Sequence, residues 1–501
     1  LKCSASLHPD ASVAGWPLGR RFWGGNAMDA TGAVTAEELA ADIPYINEYC
    51  RDRHDGVVKC EWTNAKGRVL RSCRPFRQGE VIFREPPLHI VAEQNGNTAF
   101  EKVRDLCESR SEVFEFDPLW YWTALCSLKP SQLPQGEKRI VAVSEDTQRK
   151  LLLLYHTETG DASDAVLALV REFGLSAHVD AVDLQRLLQV WILNCFEHSD
   201  EPLGYSTYFM SSFMSHSCFP NAVWHYEGDY FVLRARYDIV AHDEVSVSYL
   251  SEESLLESVP ARRKHLKDSK HFVCECQRCN ALTDRGRGFR CPQCQKAIFP
   301  GMDPRPESFV GIQCDCCLHA ISAGEAHDFG AQESELETHL DAWEERSGGK
   351  RTMQLGTLEE TVARAEQSLS QHWLLDKAWQ VLADGYDRYG RPQDAEAAMK
   401  KRIAFQEGAY PGLSGTHAWT LEAFADMLLR HSGGTTDPQV HLRSEDAAKQ
   451  LIGAPAVYGE ALRILGFMFG EDHAYYTTVH RKRVELDAEL RRLLGVPGDV
   501  A

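Results

Sequence analysis

Phe213-Met214-Ser215-His216-Ser217-Cys218-Phe219-Pro220-Asn221 reads as a sharp, irregular turn. Pro220 has no backbone donor and fixes its own φ, so neither helix nor ladder continues through it. After it, Tyr230-Phe231-Val232-Leu233-Arg234-Ala235-Arg236 has the composition of a strand, and Gly228-Asp229 is placed as a hairpin turn before it. Val245, Val247 and Tyr249 alternate with polar residues in Asp243-Glu244-Val245-Ser246-Val247-Ser248-Tyr249, which predicts a second, half-buried strand. Then comes Cys274-Glu275-Cys276-Gln277-Arg278-Cys279, three thiols within six residues. Three thiolates leave a tetrahedral zinc ion one ligand short.

Turn, strand with its tyrosine, and cysteine cluster occur in one order. That order resembles the SET domain of protein lysine methyltransferases with its post-SET zinc segment. The resemblance implies that Cys218 supplies the fourth ligand beside Cys274, Cys276 and Cys279. It implies that the Tyr249 hydroxyl sits beside the transferring methyl group and is the catalytic residue. It also implies an S-adenosylmethionine site that takes in Ser215, His216, Tyr249 and Phe272. Ser215 stands where the family has Asn, and Lys270 where it often has Tyr. Glu244 is assigned to the turn before the strand.

Upstream, Val57 to Trp62 reads as a strand. The run Lys66-Gly67-Arg68-Val69, followed by Phe76-Arg77-Gln78-Gly79-Glu80-Val81-Ile82-Phe83-Arg84-Glu85-Pro86-Pro87, resembles the first half of a SET domain. Lys66, Gly67 and Arg68 are therefore donor-site candidates, with Val69 replacing the second Gly of the family's Gly-x-Gly turn. Between the halves, residues 96–185 lack strand alternation. Leu119–Leu128, Leu151–Leu154, Val166–Phe173 and Val182–Trp191 read as helical. The last leads into Asn194-Cys195-Phe196, a place similar to one in the SMYD enzymes. By that likeness Phe196 and Tyr208 line a substrate channel. The MYND zinc finger of those enzymes is not expected, because Cys107 and Cys126 are too few and too far apart to bind zinc by themselves.

Cys291-Pro292-Gln293-Cys294 and Cys314-Asp315-Cys316-Cys317 have the spacing of a zinc ribbon, assigned to Cys291, Cys294, Cys314 and Cys317 with Cys316 spare. From Glu333 the chain reads as helices punctuated by Gly and Pro. The helices are placed at Leu336–Trp343, Leu358–Leu369, Trp373–Tyr389, Ala395–Phe405, Trp419–Leu429 and Ala456–Phe469. His372, His417 and His473 recur at helix starts, in stacked hairpins like those of a tetratricopeptide (TPR-like) array.

The fold expected is α+β and multidomain. Residues 1–51 are a tail and short helix begun by a capping box at Thr35-Ala36-Glu37-Glu38. Residues 52–95 and 186–258 are the halves of a β-rich SET core, and 96–185 a helical insertion. Residues 259–284 are the post-SET segment, 285–328 the zinc ribbon and 329–501 an all-α TPR-like domain.

Lys+Arg 54 against Asp+Glu 73 gives a net charge of −19. That argues against a general DNA-binding surface; most of this charge reads as an ordinary soluble surface, though an acidic enzyme can attract a basic peptide, and the resemblance implies a protein substrate, histone or non-histone. A ribbon that binds nucleic acid is disfavoured on the same ground. Of the sixteen cysteines, eight fall between Cys274 and Cys317, mostly in Cys-x-x-Cys pairs, and these read as zinc in a reducing compartment rather than disulfides. No apolar run is long enough to cross a membrane, and the first twenty residues have no apolar signal-type core, so cytoplasm and/or nucleus is expected. Two functions follow. One is an S-adenosylmethionine-dependent protein lysine N-methyltransferase with two or more zinc ions. The other is a catalytically weak SET scaffold that binds a partner protein through its helical C-terminal domain.

Overall fold

The computed structural model describes residues 41–157, 160–303, 305–346, 355–436 and 439–495. Residues 1–40, with the capping box at Thr35–Glu38, lie outside them, while the end of the expected short helix is described as part of a helix at Ile43–His54. The described residues divide into two compact units. One takes residues up to 215 together with 221–247; the other takes 216–220 and everything from 248 onward.

The first unit holds three small antiparallel sheets. In one, Gly67–Ser72 lies between Val58–Thr63 and Glu244–Val247. The turn into Gly67–Ser72 needs a left-handed residue, and Gly67 has φ 70° there. In the second, Tyr230–Ala235 is central, flanked by Val81–Glu85 and Ala222–Glu227. The expected hairpin turn at Gly228-Asp229 joins the last two strands, with Gly228 at φ 60°. In the third, Leu203–Thr207 pairs with His89–Ala92 and Phe196–Asp200.

The region expected to be helical carries helices at Thr98–Ser109, Pro118–Leu125, Glu145–Leu152, Asp164–Glu172 and Ala181–Asn194. In Pro118–Leu125 every residue after Pro118 is buried, so its apolar residues show no one-sided period. Glu85 is buried at the end of its strand. It accepts from the Met210 and Ser211 amides at 2.7 and 3.0 Å and from Ser211 Oγ at 2.7 Å. Burial pushes its carboxyl up to about 7. Those bonds fix the chain that leads into Ser215, which opens the two-residue strand Ser215–His216 where the sequence predicted a turn.

The second unit begins with the helix Val259–Lys270, whose Ser258 cap accepts from the Ala261 amide. Arg287–Arg290 pairs with Ala297–Ile298 and, on its other side, with Leu369–His372. The sequence reading missed this last strand and ran the preceding helix to Leu369. The helix stops at Ser368, where the backbone turns to join the sheet. The remaining helices run Ala323–Arg346, Leu355–Ser368, Trp373–Arg388, Pro392–Ala409, Gly415–His431, Ala454–Phe469 and Ala474–Leu494, with a short one at Glu445–Gln450. His372 and His473 are N-caps whose ring nitrogens accept from Leu374 N and Tyr475 N. His417 is not a cap; Ser414 fills that place. None of the described helices is long and apolar enough to cross a membrane.

Candidate active site and metal centres

The sequence-predicted site residues fall in both units, and each group is organised within its own. In the first unit, Lys66 is exposed in the turn before Gly67–Ser72. Its Nζ lies 2.6 Å from Glu244 Oε1, and Ser215 Oγ hydrogen bonds to that same oxygen. Asn221 Nδ2 donates to the Glu244 carbonyl at 2.8 Å, and Asn221 Oδ1 accepts from Ser246 N at 2.8 Å. Glu244 is thus the first residue of a strand and a collector of two candidate side chains, a role its sequence position did not announce. Arg68 is half-buried, its guanidinium 5.0 Å from the centre of the Phe213 ring, and burial pulls its pKa down. Val69 is buried in the core.

Phe196 and Tyr208 meet edge to face at 5.6 Å. Phe196 also contacts Trp224 and Phe231, each at 5.3 Å. Tyr208 is fully buried and donates its hydroxyl to the Asp229 carbonyl at 2.7 Å. It backs the aromatic cluster, while Phe196 keeps an accessible edge.

In the second unit, Tyr249 does not lie in a strand as expected. The strand ends at Val247, and the Tyr249 amide donates to His216 Nδ1 at 2.9 Å instead of to a ladder. The His216, Tyr249 and Phe272 rings form a cluster, with centroids 5.4, 6.0 and 6.4 Å apart. Lys270 Nζ stands 5.9 Å from the centre of the Tyr249 ring, within cation–π range. The aromatic residue often found at this position in the family is therefore replaced by a cation facing another aromatic.

Cys218, Cys274, Cys276 and Cys279 bring their four sulfurs within 4.8 Å of one another. Cys218 Sγ is 4.0 Å from Cys274 Sγ and 3.5 Å from Cys279 Sγ. Four thiolates about 2.3 Å from a tetrahedral zinc ion stand about 3.8 Å apart, so the set fits zinc. Hydrogen bonds from Cys218 and Cys274 pull Cys276 and Cys279 down, Cys279 to about 7, so thiolate is available near neutral pH.

A zinc ion with four thiolates carries a net charge of about −2. The buried Arg262 and the half-buried Arg263 and Arg278 lie against these four cysteines. Arg262 is fully buried, with Nη2 3.7 Å from Cys279 Sγ. Arg278 Nη1 donates to the Cys218 and Leu255 carbonyls at 3.2 and 2.5 Å. Arg263 Nε donates to the Cys274 carbonyl at 2.9 Å. Burial works against the charge of Arg262, but Cys218 and Cys279 hold its pKa above the ordinary value. Burial, with Arg262 beside it, pulls Arg278 down to about 10. These partners orient the ligands and balance their charge, and the spacing motif gives no hint of them.

The second group is Cys291, Cys294, Cys314 and Cys317, again within 4.8 Å of one another, with Cys291–Cys317 and Cys294–Cys314 both at 3.5 Å. Cys316 is exposed and outside the group. Cys107 and Cys126 are buried and belong to neither group.

Residues 67–250 match the family described as the SET domain. The chain carries a SET domain. Three relatives place it further. It is similar to the histone-lysine N-methyltransferase ASHR1 of Arabidopsis thaliana, 25% identical over 327 residues that cover 54% of this chain and 66% of that protein. It is similar to the N-lysine methyltransferase SMYD2 of Bos taurus, 26% identical over 272 residues, 46% of this chain and 61% of that protein. It is similar to the histone-lysine N-methyltransferase SMYD3 of Homo sapiens, 26% identical over 259 residues, 43% of this chain and 60% of that protein. The SET-domain chain therefore spans 60 to 66% of the length of these relatives. The SMYD-like reading of the sequence agrees with them. The SET match begins at Gly67 and runs through the Ser215–Asn221 turn to Leu250, so it takes in Tyr249.

Proposed function

We propose that this chain is an S-adenosylmethionine-dependent protein lysine N-methyltransferase. The observation that carries the proposal is Tyr249, held by His216 and flanked by Phe272 beside a four-cysteine site, inside a matched SET domain. The relatives named as lysine methyltransferases support it.

The donor, S-adenosylmethionine, supplies an electrophilic methyl group on a sulfonium. Lys66, Gly67, Arg68, Ser215, His216, Tyr249 and Phe272 are assigned to its binding. Phe272 would offer a flat apolar face to the adenine, and Ser215 and Lys66 would offer polar groups to the donor. Phe196, backed by Tyr208, is assigned to the lysine channel. An apolar channel disfavours the ammonium form and frees the amine lone pair. The amine nitrogen then bonds to the methyl carbon as the carbon–sulfur bond breaks, and the electron pair leaves on sulfur as S-adenosylhomocysteine. Tyr249 orients the amine through its hydroxyl, and alignment of nucleophile, methyl and sulfur supplies roughly 7–11 kcal/mol in favourable cases.

A zinc ion held by Cys218, Cys274, Cys276 and Cys279 would act structurally, tying Cys274–Cys279 to the segment that carries His216. The substrate is a protein with an accessible lysine, histone or non-histone, and the net charge of −19 favours a basic segment. A partner protein on the helical C-terminal half and residence in cytoplasm, nucleus or both belong to the same proposal. Thiolate zinc sites call for a reducing compartment.

A second reading, a SET scaffold with weak catalysis, is favoured by two observations. Ser215 has its hydroxyl committed to Glu244, and Lys270 occupies an aromatic position. Incubating the zinc-replete protein with methyl-labelled donor and a mixture of histones and other lysine-rich proteins separates the two. Label on lysine that Tyr249→Phe abolishes supports the enzyme; donor binding without label on any substrate supports the scaffold.

A further inference from the structure

His216 touches two groups that the sequence sets 31 residues apart, Cys218 and Tyr249. Its Nδ1 accepts the Tyr249 amide at 2.9 Å. A ring nitrogen that accepts carries no proton, so in the neutral ring the proton sits on Nε2. Nε2 lies 3.2 Å from Cys218 Sγ, where its N–H would donate to the sulfur once a bound metal holds Cys218 as a thiolate. The ring is buried, so water does not compete for either bond. Tyr249 lies just past the end of its strand, and His216 takes the amide that a ladder would otherwise hold. Either contact alone is ordinary packing. Together they make one imidazole the bridge between a metal-ligand sulfur and the backbone of the tyrosine assigned to catalysis.

We propose that His216 is a positioning residue that couples metal occupancy at Cys218, Cys274, Cys276 and Cys279 to the backbone of Tyr249. Its consequence for methyl transfer rests on the function proposed above; the coupling itself does not. Metal fixes the Cys218 sulfur, the sulfur fixes the ring through Nε2–H, and Nδ1 fixes Tyr249. Loss of metal frees the sulfur to move, and Tyr249 loosens without any change to its own side chain.

The test is hydrogen exchange of the Tyr249 amide, resolved by fragmentation mass spectrometry, in the full-length zinc-loaded protein. Cys276→Ser dismantles the metal site without touching His216. His216→Gln keeps a donor near the Nε2 position and loses the acceptor for Tyr249. His216→Asn places an amide oxygen near the Nδ1 position and loses the donor to sulfur. The expected result is that Cys276→Ser speeds Tyr249 exchange about tenfold or more. His216→Asn, cut from the sulfur, exchanges about as fast as Cys276→Ser, and adding Cys276→Ser to it changes the rate by less than about threefold. His216→Gln exchanges fast with or without Cys276→Ser.

The proposal is overturned if Cys276→Ser leaves Tyr249 exchange unchanged, or accelerates it equally with and without His216→Asn. Should the His216 variants not fold, nitrogen NMR of the His216 ring in the unaltered protein decides. A proton on Nε2 supports the bridge, and a proton on Nδ1 contradicts it. S-adenosylmethionine binding is measured on the same samples. Its absence with the exchange coupling intact would sink the functional reading and leave this one standing.

Discussion

Lys66 Nζ stands 2.6 Å from Glu244 Oε1, across 178 residues of sequence. Ser215 Oγ bonds to the same oxygen. One carboxylate therefore orders two side chains assigned to the donor. The pair is partly exposed, so it contributes little to stability, about 0.2–1 kcal/mol for pairs of this kind. Its value lies in orientation. Glu244→Gln keeps the shape, removes the charge and leaves the Lys66 ammonium unneutralised. We expect S-adenosylmethionine to bind about tenfold more weakly, with unfolding free energy changed by less than about 1 kcal/mol. Calorimetric titration beside chemical denaturation checks both. Unchanged donor affinity would remove Glu244 from the site.

Cys276→Ser should lower the metal content from two zinc ions per chain to one and abolish methyl transfer. The remaining ion is the one at Cys291, Cys294, Cys314 and Cys317. Elemental analysis and the labelled-methyl assay read the two effects. Full transfer with one zinc would show that the Cys218 site does not shape the active site.

Seven of the eight cysteines in the two candidate metal groups were legible because they come in tight Cys-x-Cys and Cys-x-x-Cys pairs, a spacing with few other meanings, whereas Cys218 came only from the resemblance of its turn. The β-rich core was legible from the turn at Gly228-Asp229 and from strand composition. Three things were not. Tyr249 falls outside its strand because a ring nitrogen 33 residues away takes its amide, and alternation cannot report that bond. Leu369–His372 forms a strand because Arg287–Arg290 offers an edge, which local pattern read as the end of a helix. Arg262, Arg263 and Arg278 sit in a helix and a knuckle as ordinary cations until the fold sets them against the thiolates.

Acid should weaken the second unit through Glu333. Arg287 Nε and Nη2 donate to its two oxygens at 2.7 and 2.6 Å, and His372 Nε2 lies 3.2 Å from Oε1. Burial works against the charge, yet Arg287 and His372 hold the carboxyl down to about 2, from 4.5. A carboxyl depressed in the folded state stabilises above its unfolded pKa and loses that stabilisation as pH falls through the folded one. The window is therefore about pH 4.5 down to 2, and the shift corresponds to about 3 kcal/mol. Denaturation of the protein and of Glu333→Gln should differ by about that much near pH 6 and converge toward pH 2. A difference that does not shrink with acid would rule out the titration of Glu333 as its source.

Tyr249→Phe removes one hydroxyl and leaves the amide bond to His216 in place. We expect turnover to fall about a hundredfold or more, the scale seen when one aligned polar group is lost from an active site. Zinc content should not change. Turnover within about threefold of the unaltered protein would take Tyr249 out of the catalytic role.

The measurement that bears most directly on the account is calorimetric titration of the zinc-replete protein with S-adenosylmethionine, with Tyr249→Phe run alongside. The account predicts micromolar binding that Tyr249→Phe retains, since the hydroxyl acts on the amine rather than on the donor's hold. No detectable binding to a protein that carries both zinc ions would contradict it, and would leave the SET domain as a scaffold.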